Sequence, residues 1–442
     1  MRRVAPLLLL GWSCGPAGAA DGDRVTLRLA DRADYLEAKL ENRVLEPYLA
    51  ARASVTIVQQ RAATHRAAYR ERLLTSLAAG APPDVFLLDN IDVPTFVNRG
   101  AVLDLAPYLP RAGVAVTRYD STVLAIFRRG GAVYALPRGY TPMVVFYNKD
   151  VFDRAGVAYP TDDWTWDDFL RVAQRLTRDA DGDGRIDQWG TYFDRRAFVW
   201  IPWLWSGGGD VLCADGRRAS GCLDSPATIE AIRWYTDWVV SRHVVPRATA
   251  LLESAGDNLR LFATGKVAML TAGHFWIPNL RPYLADGRLR LGCVALPHRP
   301  GFPPATVIYA SGYAVPATAP RRKLSIELAA YLADSLAGAT RGEAGLELPA
   351  VRGAAQALAA RDTLGWEAAF LRAAAHGRVQ WGARIERWRE VESVLPDLLD
   401  RVTLGGADPG AAARDMAREL DRLLGVGGAG RAGGAGGAGV AR

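Results

Sequence analysis

Val25-Thr-Leu-Arg-Leu-Ala30, Val55-Thr-Ile-Val58 and Asp84-Val-Phe-Leu-Leu88 are the stretches that decide the fold class. The first alternates apolar and polar residues, the second is rich in β-branched side chains, and the third is an apolar run of strand length. Between them lie two segments with helical spacing. Leu36, Leu40, Val44 and Leu45 share one face of residues 33–51, and Tyr69, Leu73 and Leu77 share one face of the next helix, which Gly80 stops. Strand, helix, strand, helix, strand is the pattern of an open α/β sheet.

Further along, Thr165 and Asp168 form a capping box that opens a helix through Phe169, Val172 and Leu176. Ser225-Pro226 opens another through Ile229, Ile232 and Trp238. Val267-Ala-Met-Leu270 reads as a strand, and residues 324–337 as one amphipathic helix. From Gly425 to Arg442 the chain is a Gly/Ala tail with too little apolar surface to pack, so disorder is expected there.

The 442 residues leave room for two or three lobes, and 50% hydrophobic with 23% charged residues is ordinary for a globular protein. The net charge of +7 comes from arginine, since only Lys39, Lys149, Lys266 and Lys323 among the 54 basic residues are lysines. These cations are scattered rather than clustered, which argues against nucleic-acid binding. Met1–Ala20 reads as a signal peptide. Arg2 and Arg3 precede a short apolar run, and Ala17-Gly-Ala-Ala20 supplies small residues for cleavage. A periplasmic or otherwise exported protein is expected. Cys14 offers a route to a lipid anchor, although Gly11-Trp-Ser-Cys14 departs from the usual lipobox. In an oxidising compartment Cys213 and Cys222, on either side of a turn-rich stretch, are expected to form a disulfide across a hairpin, with Cys293 a buried free thiol.

Tyr147-Asn-Lys-Asp-Val-Phe-Asp-Arg-Ala-Gly156, followed by Trp164-Thr-Trp-Asp-Asp-Phe169, resembles the family 1 extracellular solute-binding proteins of bacterial ABC importers, among them the maltose- and other sugar-binding proteins. The same family shows Leu77-Ala-Ala-Gly80 before Pro83-Asp-Val-Phe86, Gly207-Gly-Gly209 before a hairpin, Phe262-Ala-Thr-Gly-Lys-Val-Ala-Met269 and Ser311-Gly-Tyr-Ala-Val315. These matches run in order from about residue 25 to 337. The resemblance implies an α/β, two-lobed periplasmic-binding-protein fold of type II, with lobes joined by hinge strands and ligand held in the cleft between them. The expected N-terminal lobe is residues 21–139 plus 305–352, and the C-terminal lobe 140–304 plus 353–424. It further implies a monomer that captures a carbohydrate and delivers it to an ABC permease.

Sugars present an apolar C–H face and a rim of hydroxyls, so aromatic rings beside hydrogen-bonding groups suit them. The chain has 13 tryptophans. Trp234 and Trp238 lie four apart on one expected helix and read as packing residues, and Trp164 and Trp166 belong to a motif of the resembled family that implies packing within a lobe. Trp203 and Trp205 lie in a Pro-containing stretch before Gly207-Gly-Gly209 that reads as a loop, which makes them ligand candidates. In the sugar-binding family an aromatic at about the place of Trp276 stacks on the ligand, and the segment holding Trp381 and Trp388 supplies others. Asp89-Asn90, after a buried strand, and Tyr140-Thr141, near the expected lobe crossing, are the polar candidates.

Asp179, Asp181, Asp183 and Asp187 are spaced like the oxygens of a calcium loop. The Arg185 carbonyl sits at the seventh position and Gln188 follows. Position twelve is Gly190, so this is no EF-hand. A structural calcium ion is the expected occupant, and no other cofactor is implied. Gly-x-Ser-x-Gly, His-Glu-x-x-His and phosphate-loop motifs are missing from the sequence. A binding protein rather than an enzyme is expected. The alternatives are an exported carbohydrate-active enzyme, which needs two carboxylates flanking one bond, and a periplasmic sensor of the same fold.

Overall fold

The computed structural model of the chain describes residues 24–62, 66–179, 181–246 and 257–426. The expected signal peptide, Cys14 and residues 427–442 of the expected tail lie outside these.

Strands β1 (Val25–Arg32), β2 (Val55–Ala62) and β3 (Val85–Asp89) pair in parallel, with β1 between the other two. The helix Tyr35–Ala50 links β1 to β2, and Arg66–Ala78 precedes β3. Asp34 fixes the start of the first helix by accepting the Glu37 N–H at 2.8 Å, satisfying a donor the helix cannot pair internally. A small hairpin follows, β4 (Arg128–Arg129) with β5 (Ala132–Val133).

Strand β6 (Leu136–Asn148) is buried along its whole length. Its first half pairs antiparallel with β9 (Thr306–Ala314), and its second half with β7 (Met269–Gly273) and β8 (Leu291–Val294). Strand β9 in turn lies beside β3 at one end and β11 (Gly377–Val379) at the other. β10 (Leu348–Pro349) closes the edge beside Gly139 and Tyr140. Thus β6 and β9 belong to both halves of the molecule and cross between them. Most side chains of both strands are apolar and buried, and among the polar exceptions Arg138 and Thr141 on β6 and Ser311 on β9 gather beside the crossing.

Two apolar cores flank this crossing. One gathers Leu27, Val85, Phe86, Phe127, Tyr313 and Leu328, and the other Phe169, Trp203, Trp238, Leu395 and Met416. The capping box at Thr165 and the Ser225 cap are both present. Three local expectations need correction. Ala197–Trp205 is a helix rather than a loop, because its apolar residues are buried all round and outweigh Pro202. The single helix over 324–337 is two, Arg322–Leu332 and Ser335–Glu343, with Asp334 capping the second. Cys213 and Cys222 are bonded to each other, but across a run of turns with no strand ladder, in which the Cys213 N–H donates to the Arg218 carbonyl at 2.9 Å. Cys293 is free and only partly buried.

Candidate functional site

Parallel strands leave their carboxyl ends as a rim where loops and helix starts converge. Arg32 ends β1 and Asp89 ends β3, and the two form a two-pronged ion pair. Arg32 Nε donates to Asp89 Oδ2 at 3.0 Å and Nη2 to Oδ1 at 2.8 Å. Burial works against the Arg32 charge, but Asp89 more than offsets it and the guanidinium is raised above its ordinary value. Arg32 lines a recess of about 160 Å³ together with Arg138, Tyr140 and Thr141 of β6, Tyr309 of β9, and Phe275. Glu37, Phe275 and Leu346 also line a larger cavity of about 850 Å³, walled by the first helix on one side and the helix Ile277–Ala285 on the other. Inner recess and outer cavity therefore share a wall and together make up the cleft beside the strand crossing.

Arg138 is the electrostatic centre of the recess. Its Nε donates to Glu347 at 2.7 Å, its Nη2 donates to Glu37 at 2.8 Å, and Glu41 lies 3.7 Å away. Glu41 is itself gripped by Arg341 through bonds of 2.7 and 2.8 Å. Burial would raise the Glu41 carboxyl, but Arg341 and Arg138 outweigh it and hold the group at about 2. Asp31 is the opposite case. Burial lifts it to about 6, with Arg61 at 3.5 Å opposing only in part. Glu347 reaches Arg138 by lying directly over Gly139, where an added Cβ would stand 2.3 Å from its carboxyl carbon. That approach requires glycine.

Of the sequence candidates, Tyr140 and Thr141 line the recess, and Asp89 acts one step behind it by holding Arg32. The Thr141 hydroxyl also accepts the His274 N–H at 2.8 Å, tying β6 to the turn that carries Phe275. Asn90 is fully buried, with no hydrogen-bond partner for its amide, in a turn packed against Trp381–Ala383. Trp276 is 7% exposed with the Arg196 guanidinium 5.1 Å from its ring centre, and its neighbour Phe275 takes the cleft wall instead. Arg196 is itself clamped by Asp194.

Trp203 cannot stack on a ligand. It is 1% exposed and sits among Phe169, Trp234 and Trp238 with ring centres 4.9–5.5 Å away, because the helix turns it into the core. Trp205, Trp381 and Trp388 are buried too, around a gap of only about 10 Å³. Arg378 covers Trp205 at 4.5 Å, and Trp381 donates its indole N–H to Asp210 at 2.8 Å. The cleft residues that sequence reasoning missed are Arg32, Glu37, Arg138, Tyr309 and Glu347. Charged residues at strand ends, as at Arg32, were the available signal.

In the acidic loop, Asp179, Asp181 and Asp183 bring carboxylate oxygens within 4.8 Å of one another, a donor set of the kind calcium takes. The Gly184 and Gly182 N–H groups donate to Asp179 at 2.7 and 2.6 Å and lower its carboxyl, the Gly184 bond most. Asp187 is not gathered with these three. Gln188 is buried and donates its amide to the Leu176 carbonyl at 2.8 Å, so the loop assembles fewer of the expected ligands than the spacing suggests. Arg185 contributes its N–H to Asp183 at 2.9 Å.

Two α/β halves, two strands crossing between them and a polar cleft rimmed by aromatics at the crossing define a two-lobed binding protein. The chain belongs to the bacterial extracellular solute-binding protein family, whose model matches residues 54–337. A binding protein of Brucella abortus is 24% identical over 230 residues, 52% of this chain and 53% of that protein. The chain thus matches about half the length of such curated relatives. The fold is that of an ABC substrate-binding protein from Listeria monocytogenes in complex with cycloalternan. The TM-score is 0.79 at 21% identity, covering 91% of this chain and all of that one. It is also that of an ABC transporter solute-binding protein from Thermotoga lettingae bound with α-D-tagatose, with a TM-score of 0.76 at 21% identity, covering 90% and 99%. The chain therefore has the two-lobed periplasmic-binding-protein fold. Among the described residues no helix is long and apolar enough to cross a membrane.

Proposed function

We propose that the protein captures a carbohydrate, a sugar or an oligosaccharide, in the cleft and hands it to the membrane permease of an ABC importer. One observation carries this reading. Phe275 and Tyr309 stand in the same recess as Arg32, Arg138, Glu37 and Thr141, so apolar ring faces and hydrogen-bonding groups converge on one volume. The outer cavity of about 850 Å³ falls within the usual range for small-molecule sites. The solved relatives whose titles record cycloalternan and tagatose support a ligand of this class.

In this proposal residues 21–139 plus 305–352 close on 140–304 plus 353–424 around the ligand, and the closed monomer is what the permease recognises. The protein acts outside the cytoplasm, freed by removal of residues 1–20 or anchored through lipid at Cys14. Calcium in the Asp179–Asp183 loop has a structural role away from the cleft. Calorimetry over a panel of neutral mono- and oligosaccharides, with small-angle scattering on any sugar that binds, tests the core of it. Binding with compaction is the expected result. No binding across the panel, or binding without compaction, refutes capture or closure respectively.

A further inference from the structure

We infer that His274 and Glu367 are positioning residues: their buried pair anchors the turn that carries Phe275 and so sets where the Phe275 ring stands in the cleft. The inference rests on the carbohydrate reading above for what that ring does, although the pair itself lines neither the recess nor the outer cavity.

Phe275 is the middle residue of the turn His274–Trp276, between β7 and the helix Ile277–Ala285. A turn this short fixes little through its own backbone bonds, so its anchors decide where its side chains lie. His274 supplies two of them. Its backbone N–H donates to Thr141 Oγ1 at 2.8 Å, which ties the turn to the crossing strand β6. Its Nε2 lies 2.7 Å from Oε2 of Glu367, in the helix Trp366–Ala374. A carboxylate can only accept, so Nε2 carries the proton and donates. The imidazole is fully buried, Glu367 keeps 10% exposure, and the Phe370 ring packs beside the imidazole with centres 4.7 Å apart. Glu367 is held in its turn. Its own N–H donates to Asp362 at 2.7 Å, and the indole of neighbouring Trp366 donates to the Leu291 carbonyl of β8 at 3.0 Å. The Phe275 ring meanwhile lies against Gly273, where an added Cβ would stand 2.5 Å from the ring and 2.7 Å from the Met143 methyl.

A buried imidazole and carboxylate give up water that apolar side chains would not need, so net stability is not what such a pair supplies best. It supplies direction, because a hydrogen bond fixes a distance and an angle where apolar packing tolerates sliding. His274 Nδ1 is buried with no partner among the described residues, so the bond to Glu367 is what orients the imidazole. A contact ring set in place before the ligand arrives need not be ordered on binding, which raises affinity without adding a contact.

The test pairs fluorine NMR with calorimetry on the purified protein. Phenylalanine is replaced throughout by 4-fluorophenylalanine, and the Phe275 line is the one that Phe275→Leu removes. In Glu367→Ala that line should broaden or split. In Glu367→Gln, whose amide oxygen still accepts from Nε2, it should stay native. For a neutral sugar that the native protein binds, Glu367→Ala should weaken affinity about three- to tenfold, and Glu367→Gln should restore it. On a Phe275→Ala background Glu367→Ala should cost little more, since the pair acts through the ring. Thermal melts accompany each variant, because Glu367→Ala strands a buried imidazole. His274→Phe combined with Glu367→Leu is the second route, since replacing both partners by apolar groups keeps the fold while the bond is lost; it should disturb the Phe275 line and affinity as Glu367→Ala does. A native Phe275 line in folded Glu367→Ala or in the double variant overturns the inference, and so does unchanged affinity for a sugar that the native protein binds. An equal loss of affinity on the Phe275→Ala background also overturns it, marking the pair as support for the lobe and not for the ring. A disturbed Phe275 line in a protein that binds no sugar upholds the anchor and defeats the carbohydrate reading alone.

Discussion

Phe275→Ala and Trp203→Ala should separate affinity from stability. Phe275 is half-buried on the wall shared by recess and outer cavity, with its ring edge-on to Trp276 at 5.8 Å. Truncation removes the aromatic ring that lines both recess and outer cavity, while Trp276 and the helix Ile277–Ala285 stay in place. An aromatic contact is worth about 0.5–1.5 kcal/mol beyond area burial, and the lost apolar area brings the total to roughly 1.5–3 kcal/mol. Affinity for a bound sugar should therefore fall roughly ten- to hundredfold, with little change in melting temperature.

Trp203 lines neither the recess nor the outer cavity. It fills the space between Phe169, Trp234 and Trp238, and alanine there leaves a hole that close-packed neighbours cannot fill. Such changes cost about 3–5 kcal/mol. At roughly 2–4 °C per kcal/mol for a lobe of this size, the melting midpoint should drop by about 6–20 °C. The folded fraction should bind sugar as the native protein does. Calorimetry and thermal melts on both variants decide the matter. Native affinity in Phe275→Ala, or a native melting point with lost affinity in Trp203→Ala, would refute the assignment of cleft and core.

Two further outcomes follow from the charged groups. Asp31 is lifted by burial from an ordinary 3.8 to about 6, so the folded state holds a proton that the unfolded chain releases. Its contribution is fully present below pH 3.8 and is lost as the pH rises to about 6, on the order of 3 kcal/mol at about 1.4 kcal/mol per pH unit. Asp31→Asn should flatten that fall and raise the melting temperature at pH 7; melts that track the native protein from pH 4 to 7 would contradict this. Calcium should raise the melting temperature of metal-stripped protein by way of Asp179, Asp181 and Asp183 while leaving sugar affinity nearly unchanged, and no thermal response to calcium or EDTA would leave the loop a turn only.

The open α/β sheet was legible because its evidence is local. Val25–Ala30, Val55–Val58 and Asp84–Leu88 carry their strand character within a few residues, and the Thr165 and Ser225 caps announce helix starts. Aromatic placement was not legible. Trp203 and Trp205 looked like loop residues because Pro202 breaks the helical signal, yet a segment apolar on all sides is driven into the core and stays helical there. The recess was hidden for a different reason. Arg32, Arg138 and Glu347 are far apart in sequence and become one cluster only when β6 passes beside β10 and Glu347 folds over Gly139. Tyr140 and Thr141 were found because they lie on the crossing strand itself, whereas their charged neighbours gave no periodic or spacing cue.

The location of the recess explains how binding and closure can be one event. Arg138–Thr141 and Tyr309–Ser311 belong to the two strands that both halves share, so ligand contacts fall on the segments that must flex when the halves move. Contacts also join the two halves on either flank of the crossing. Arg389 of the C-terminal segment grips Asp92 with bonds of 2.9 and 3.0 Å, and the Arg129 guanidinium donates to the Ala383 carbonyl nearby. On the opposite flank Arg281 donates to the Glu343 and Ala344 carbonyls at 2.8 and 3.1 Å. The Arg281 contacts are exposed, where water can replace them at small net cost, whereas Asp92 is buried and its pair with Arg389 is costlier to break. The recess, by contrast, holds rings and buried ion pairs whose surroundings improve only when a ligand fills it. Under the proposed closure, a ligand that touches both strand segments gains most in the closed arrangement, and the free energy of closure is drawn from the site where specificity is set.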